Sequence, residues 1–446
     1  RGLAEMLSEV RDEKLFRAGM VLAKAKHISA CKPIKNRVKA ERLEDWLNQY
    51  KSFEPPSDFL TTKLEELVGD SDVLGDSDDR AYIESCVLRY QRGIPIHIGR
   101  LMKYQRSLEN GEANLQHLVG MGLLSIDDEN RIHVMGDPAF FLSGPELTLW
   151  PRNPDGTLVI ERRKLKEINV GLAQRMYMAM MYVRYRNVLR FNVDFRGKHH
   201  EWPNPFGSST GREAPKGASF NYLSKPIRNH LLYPKKGKQI FVLDYCSQEP
   251  ASLAALAGDH TLWSAYQNGD LYLELQSRSQ AFTELDRVHF KRLCIAHLYG
   301  ITSRGIAKKF GVSPTVAAIW DRELRVIFKK VDAYLDEKVE EAMKQGFAEV
   351  YGFRRTVAAD TRVTTIRNFY VQAVCSYMLR KLCIKLEQIN IPLIFAIHDC
   401  IGVQTHATDS ETYALAEKAM ADVSEEVLGE GYRLRCDCEY HVINNH

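Results

Sequence analysis

Gln239-Ile-Phe-Val-Leu-Asp-Tyr245 and Ile391-Pro-Leu-Ile-Phe-Ala-Ile-His-Asp-Cys-Ile-Gly-Val-Gln-Thr405 are the stretches that decide the architecture. The first is a short apolar run ending in a carboxylate, the pattern of a buried strand. The second reads as two strands meeting at a His398-Asp399 turn. Between them, Glu284 through Lys344 carries helical spacing. Strands that bracket a helical insertion predict an α+β protein with an inserted helical lobe.

The chain of 446 residues is long enough for about three domain-sized units. A hydrophobic share of 45% with 26% charged residues fits a soluble globular protein. The net charge of +4 does not announce a nucleic-acid partner, but permits one if the cations gather along a groove. None of the nine cysteines forms a CxxC pair, and Cys436 and Cys438 stand too close for a zinc knuckle. Reduced thiols in an intracellular protein are expected. No run approaches the roughly 18 apolar residues of a membrane span, and no signal-peptide pattern is present. A start at Arg1 is expected for a fragment or processed product.

Up to about residue 80 the chain reads as helical, with Ala40 to Tyr50 amphipathic, and ends in the acidic stretch Gly69 to Asp79. That stretch is read as a solvated linker. As a calcium loop it would need oxygen at Leu74 and a bidentate Glu at Ala81. Helical patterns continue to about Arg190, with a loop expected near Gly144 to Gly156. Arg89, Arg92, Arg100, Lys103 and Arg106 recur at near-helical intervals, as in a solvated face or in a helix gripping phosphates.

Two strand-end carboxylates, Asp244 and Asp399, carry the chemical argument. Phosphoryl transfer asks little covalent help of a protein but needs metal ions beside the reacting oxygens. Two aspartates bridging two Mg²⁺ ions stabilise both the attacking and the leaving oxygen. An isolated Asp would be a turn or cap residue; context decides. Arg287, Lys291, Ile295 and Tyr299 recur every four residues and so line one helix face. Two cations there suit a triphosphate, and Tyr299 before Gly300 offers a ring that stacks on a base.

Five stretches, in order, resemble motifs of family A DNA polymerases, particularly the phage and plasmid versions. Thr210-Gly-Arg212 precedes Asp244-Tyr-Cys-Ser-Gln-Glu-Pro250, similar to motif A. Arg287-Val-His-Phe-Lys-Arg-Leu-Cys-Ile-Ala-His-Leu-Tyr-Gly300 resembles motif B. Arg367-Asn-Phe-Tyr-Val-Gln372 resembles the Asn-xxx-Gln helix, and His398-Asp399 resembles motif C. The likeness runs from about Arg89 to Asn445.

The resemblance implies a right-hand polymerase fold with an antiparallel palm sheet and helical thumb and fingers. Residues 86–200 would be the thumb, 201–260 and 347–446 the palm, and 261–346 the fingers. Residues 1–85 would be an N-terminal helical segment, the remnant of an exonuclease domain whose Asp-x-Glu strand is not found. The implied reaction is template-directed addition of deoxynucleotides to a primer 3′ end. Asp244, Asp399 and the Tyr245 backbone carbonyl would hold two Mg²⁺ ions. Arg287 and Lys291 would hold the triphosphate, with Lys291 donating a proton to pyrophosphate, and Glu249 would be the gate against a ribose 2′-hydroxyl.

Arg212, Asn368, Gln372 and His398 would touch primer or template, and Arg228 aligns with a basic position near its backbone. The sequence departs from the pattern at Ile295, usually aromatic, at Cys400, usually Glu, and at Tyr272, often a phosphate-binding His. Implied partners are primer-template DNA and deoxynucleoside triphosphates, with no membrane, a monomeric state and room for accessory replication proteins. Three alternatives stand beside this reading. A single-subunit RNA polymerase is opposed by Glu249, and a degenerate DNA-binding protein is suggested by Cys400 and Ile295. A helix-turn-helix regulator is suggested by Ser303 to Ala318, a match read as accidental.

Overall fold

A computed structural model describes residues 77–446 apart from 128–130, 154, 192, 202, 216–217 and 444–446. The Ala40–Tyr50 segment, most of the acidic linker and the exonuclease-remnant reading lie outside the described residues. The last linker residues are helical instead. Asp78 and Asp79 fall in the first turn of helix α1 (Ser77–Arg92), where carboxylates complement the helix dipole.

Contacts group the chain into two units. The smaller comprises 93–201 and 216–233; the larger holds 202–215, 234–446 and α1. Residues 86–92, assigned above to the thumb segment, thus group with the larger unit, and 216–233, assigned to the palm, with the smaller.

The smaller unit is built on helices α2 (Ile98–Gly120) and α3 (Gly171–Tyr185), which bury Leu115, Leu118, Ala173, Met176 and Ala179. Gly111 sets how closely they cross: a Cβ there would stand 2.6 Å from the Met178 carbonyl oxygen. Gly111→Leu is expected to cost about 3 kcal/mol through overpacking, which outweighs the roughly 1 kcal/mol gained in helix propensity. A lower midpoint in urea would show it. Where a loop was expected near residue 144, Gly144–Leu149 is a short helix. Ser143 and Glu146 close a capping box around its first turn, with Pro145 inside it.

The basic series does not share one helix. Chain direction breaks at Gly93, whose φ is +64°, and at Pro95. Arg89 and Arg92 end α1 and are spent on internal carboxylates: Arg89 pairs with Glu213 at 2.5 Å and Arg92 with Glu387 at 2.6 Å. Arg100, Lys103 and Arg106 lie on α2.

The larger unit centres on an antiparallel sheet. Strand β1 (Lys238–Tyr245) leads into α4 (Gln248–Leu256). A run of helices follows, with α5 (Arg287–Leu298), α6 (Ser303–Phe310), α7 (Pro314–Ile327) and α8 (Lys329–Gln345) forming its second half. The long helix α9 (Val363–Gln388) then runs to the hairpin β2 (Leu393–Ile397) and β3 (Cys400–His406). Helix α10 (Glu411–Leu428) and strand β4 (Cys436–Ile443) complete the unit. The sheet order is β4-β1-β3-β2. Both expected strand regions and the helical insertion between them are therefore present.

Helices α6 and α7 do form a tight corner, with Gly311 left-handed and Ser313 capping α7. Ile306, Ala317, Trp320 and Leu324 turn inward to the shared core.

Candidate active site

Strand pairing brings the two predicted carboxylates together. Register places Asp244 of β1 opposite Cys400 of β3, directly after Asp399. The Tyr245 amide donates to the Asp399 carbonyl at 3.1 Å, and the two carboxyl groups lie within hydrogen-bonding reach of each other. His398, between β2 and β3, has φ +56°, and Ser247, just beyond β1, has φ +47°. Both acidic strand ends are thus flanked by non-glycine residues in the left-handed region, a strain that rigid surroundings must hold.

Burial pushes the Asp399 carboxyl above its ordinary value, against the lowering influence of the Arg212 and Lys291 charges and of Asp244. A carboxyl group so disfavoured by burial, with a second carboxyl beside it, suits a hard divalent cation. Among the described residues no group of three or more His, Cys, Asp or Glu is placed to hold a metal. The donor set is therefore the aspartate pair with nearby backbone oxygen, and it fits an ion whose remaining ligands come from substrate and water. Cys400 is buried at 2% exposure beside this pair and supplies no carboxylate.

Helix α5 presents the predicted face. Arg287 and Lys291 are exposed and Ile295 and Tyr299 half-buried, while Phe290, Leu293 and Cys294 turn into the core. Tyr272 is not in the open: at 1% exposure it lies beneath the cations, its ring 5.7 Å from the Arg287 guanidinium and 5.4 Å from Lys291 Nζ. Burial pushes its hydroxyl up, so the ring acts as an apolar, electron-rich floor for both charges. Arg287 also donates to Asp270 at 2.6 Å. Burial works against the Asp270 carboxylate, but Arg287 and backbone amides hold it below its ordinary value.

Glu249 opens α4 as a junction rather than a solvated cap. The Tyr299 hydroxyl donates to Glu249 Oε1 at 2.7 Å, and Arg212 donates to the same oxygen at 3.1 Å. Gln372 Nε2 donates to the Tyr299 oxygen at 3.3 Å, and Gln372 Oε1 accepts from Thr210 at 3.3 Å. Burial first, then the Glu249 charge, pushes the Tyr299 hydroxyl up, so it stays a donor. Asn368 is half-buried one turn before Gln372, and its amide oxygen finds no hydrogen-bond partner among the described residues. His398 is exposed at the hairpin tip. Arg228 belongs to the smaller unit, where it is buried on the helix Lys225–Leu231.

Sequence reasoning missed the residues behind this constellation. Arg380 donates to the Gly211 carbonyl at 3.0 Å, its guanidinium between the rings of Phe206, Phe353 and Tyr377. Glu213 accepts from Tyr82 at 2.6 Å and from Arg89. The segment Thr210 to Glu213 is thereby fixed at every residue. No local spacing marks these partners, because α1 and α9, which supply them, lie more than 100 residues from Thr210–Glu213 along the chain.

A family model described as DNA polymerase family A matches residues 219–440, a span that contains both aspartates, Glu249, the α5 face and Gln372. These residues belong to DNA polymerase family A. Similar proteins include the thermostable DNA polymerase I of Thermus aquaticus, 24% identical over 273 residues, covering 55% of this chain and 32% of that protein. The DNA polymerase of Mycobacterium phage L5 is 24% identical over 225 residues, covering 50% of this chain and 37% of that protein. The chain thus spans about a third of the length of these curated relatives.

Among solved structures, the POL domain of Pol1 from M. smegmatis, in complex with DNA primer-template and dNTP, matches with a TM-score of 0.63 and 17% identity. The match covers 92% of this chain and 78% of that one, so the family A fold extends beyond the matched residues. No described helix is long and apolar enough to cross a membrane.

Proposed function

We propose that this chain is a template-directed DNA polymerase that adds deoxynucleotides to a primer 3′ end. The observation that carries the reading is the meeting of Asp244 and Asp399 at the ends of neighbouring strands. In this reading the pair holds the divalent ions, two Mg²⁺ by family likeness, with the Tyr245 carbonyl completing the protein's share. When bound, such ions lower the charge cost of 3′-oxygen attack and pyrophosphate departure. Arg287 and Lys291, seated on Tyr272, bind the triphosphate, and Lys291 would donate a proton to pyrophosphate. Tyr299 offers its ring to the templating base, while Arg212, Asn368, Gln372 and His398 read primer and template by hydrogen bonds. Arg228 is assigned to the DNA backbone by family likeness alone. The smaller unit would serve as thumb, the sheet with its flanking helices as palm, and residues 261–346 as fingers.

Glu249 argues against the ribonucleotide-polymerising alternative. Its carboxylate is fixed by Tyr299 and Arg212 rather than free to swing away, so it can exclude a 2′-hydroxyl by occupying the space. Primer extension on a primed template, with deoxynucleotides and ribonucleotides supplied separately, tests this. Wild type is expected to prefer deoxynucleotides, and Glu249→Ala to lose about 10²-fold of that preference. Preferential ribonucleotide extension by wild type would reject the reading.

A further inference from the structure

We propose that Asp332 and Arg367 are positioning residues for this polymerase, fixing the Tyr299-Gly300 turn and through it the hydroxyl that Tyr299 gives to Glu249. The inference rests on the polymerase reading and deepens it.

Its basis is a buried ionic junction of three helices. Asp332 of α8 divides its two oxygens between neighbours. Oδ2 meets His297 Nε2 of α5 at 3.0 Å, and Oδ1 accepts from Arg367 of α9 at 2.5 Å. The other terminal nitrogen of Arg367 donates to Asp336 at 2.7 Å, and its Nε faces the Leu298 carbonyl at 3.5 Å. Arg367 is 7% exposed and His297 3%, and the His297 ring stacks on Phe328 with centroids 5.5 Å apart.

This junction abuts the turn that ends α5. Gly300 has φ +81°, and a Cβ there would lie 3.2 Å from Arg367 Cδ. The stem of Arg367 is therefore packed against the turn. A cavity of about 190 Å³ lies on the same side, lined by Gly300, Ile301 and Thr302 together with the charged residues of the junction. The space beside Gly300 is thus not filled by apolar packing, and the ionic contacts of Arg367 hold its stem there. Burial pushes the Asp332 carboxyl up, yet His297 and Arg367 more than reverse this and hold it below its ordinary value.

The connection to chemistry runs through α9. Arg367 faces the Leu298 carbonyl just before Tyr299, and Gln372 of the same helix donates to the Tyr299 oxygen. Helix α9 thus meets the residues on either side of Tyr299 through Arg367 and the Tyr299 oxygen through Gln372, and Asp332 joins α9 to α5. No other contact described above ties His297 to Arg367. A charged junction of this kind stabilises weakly against apolar packing but specifies geometry when every partner is present.

The test uses Asp332→Asn and Arg367→Lys in primer extension, reading the ratio of kcat/KM for deoxynucleotides over ribonucleotides. Each variant is made alone and in a Tyr299→Phe background. Both single variants are expected to lower the ratio about tenfold. In the Tyr299→Phe background the same changes are expected to have little further effect, because the hydroxyl they position is gone. A merely structural role would lower Tm and overall rate equally in both backgrounds and leave the ratio unmoved, which overturns the inference. Failure of both variants to fold also overturns it, since the junction is then a stability element. A wild-type protein that does not extend primers rejects the polymerase reading instead.

Discussion

Asp399→Asn is expected to reduce primer extension by at least about 10³-fold while the protein keeps its fold. The rate loss follows from charge. Metal-assisted phosphoryl transfer draws several kcal/mol from ions held at the reacting oxygens, and each 1.4 kcal/mol is a factor of about ten. With Asn at 399, Asp244 is the remaining carboxylate of the pair. The retained fold follows from burial: Asp399 already sits where its charge is disfavoured, so replacing it with a neutral isostere removes a desolvated charge rather than a needed one. Without divalent ions the variant should melt no lower than wild type.

Adding Mg²⁺ should raise the wild-type Tm, by about 2.7 kcal/mol of stabilisation at a hundredfold excess over Kd. It should leave the variant nearly unmoved. Unchanged extension by Asp399→Asn would place the chemistry elsewhere.

Glu213→Ala is expected to destabilise the larger unit by about 3–5 kcal/mol, the usual loss when one partner of a buried ion pair is removed. Glu213 and Arg89 have side-chain exposures of 8% and 2%, and Tyr82 gives its hydroxyl to the same carboxylate. Truncation leaves a guanidinium without its counter-charge and a phenol without its acceptor. The melting temperature should fall by roughly 10 °C. An Arg89→Met, Glu213→Met double variant should recover most of that, because two apolar side chains leave no uncompensated charge. An equal loss in single and double variants would show that shape rather than charge matters here.

The parts of the molecule legible in the sequence are those whose signals are local. Apolar runs ending in Asp244 and meeting at His398-Asp399 announced strands, and four-residue spacing announced the α5 face. Two further signals are local as well. Gly93 and Pro95 break the helix between Arg92 and Arg100, so the basic series was never one stripe. Ser143-x-x-Glu146 is a helix-start signature where a loop was read. Illegible by nature were Arg380, Glu213 and Asp332, whose meaning lies in partners distant along the chain. Tyr272 belongs with them: family likeness put it against phosphate, but only packing reveals a ring laid under two cations.

The order of strands carries a consequence for biosynthesis. Strand β4 follows every other described element of the larger unit along the chain, yet it pairs with β1, setting Asp437 opposite Asp244. Until it docks, Ile240 to Leu243 present an uncovered hydrogen-bonding flank of the kind that recruits foreign strands. A nascent chain stalled before residue 436 would be sticky as well as idle, a natural client for chaperones and proteolysis.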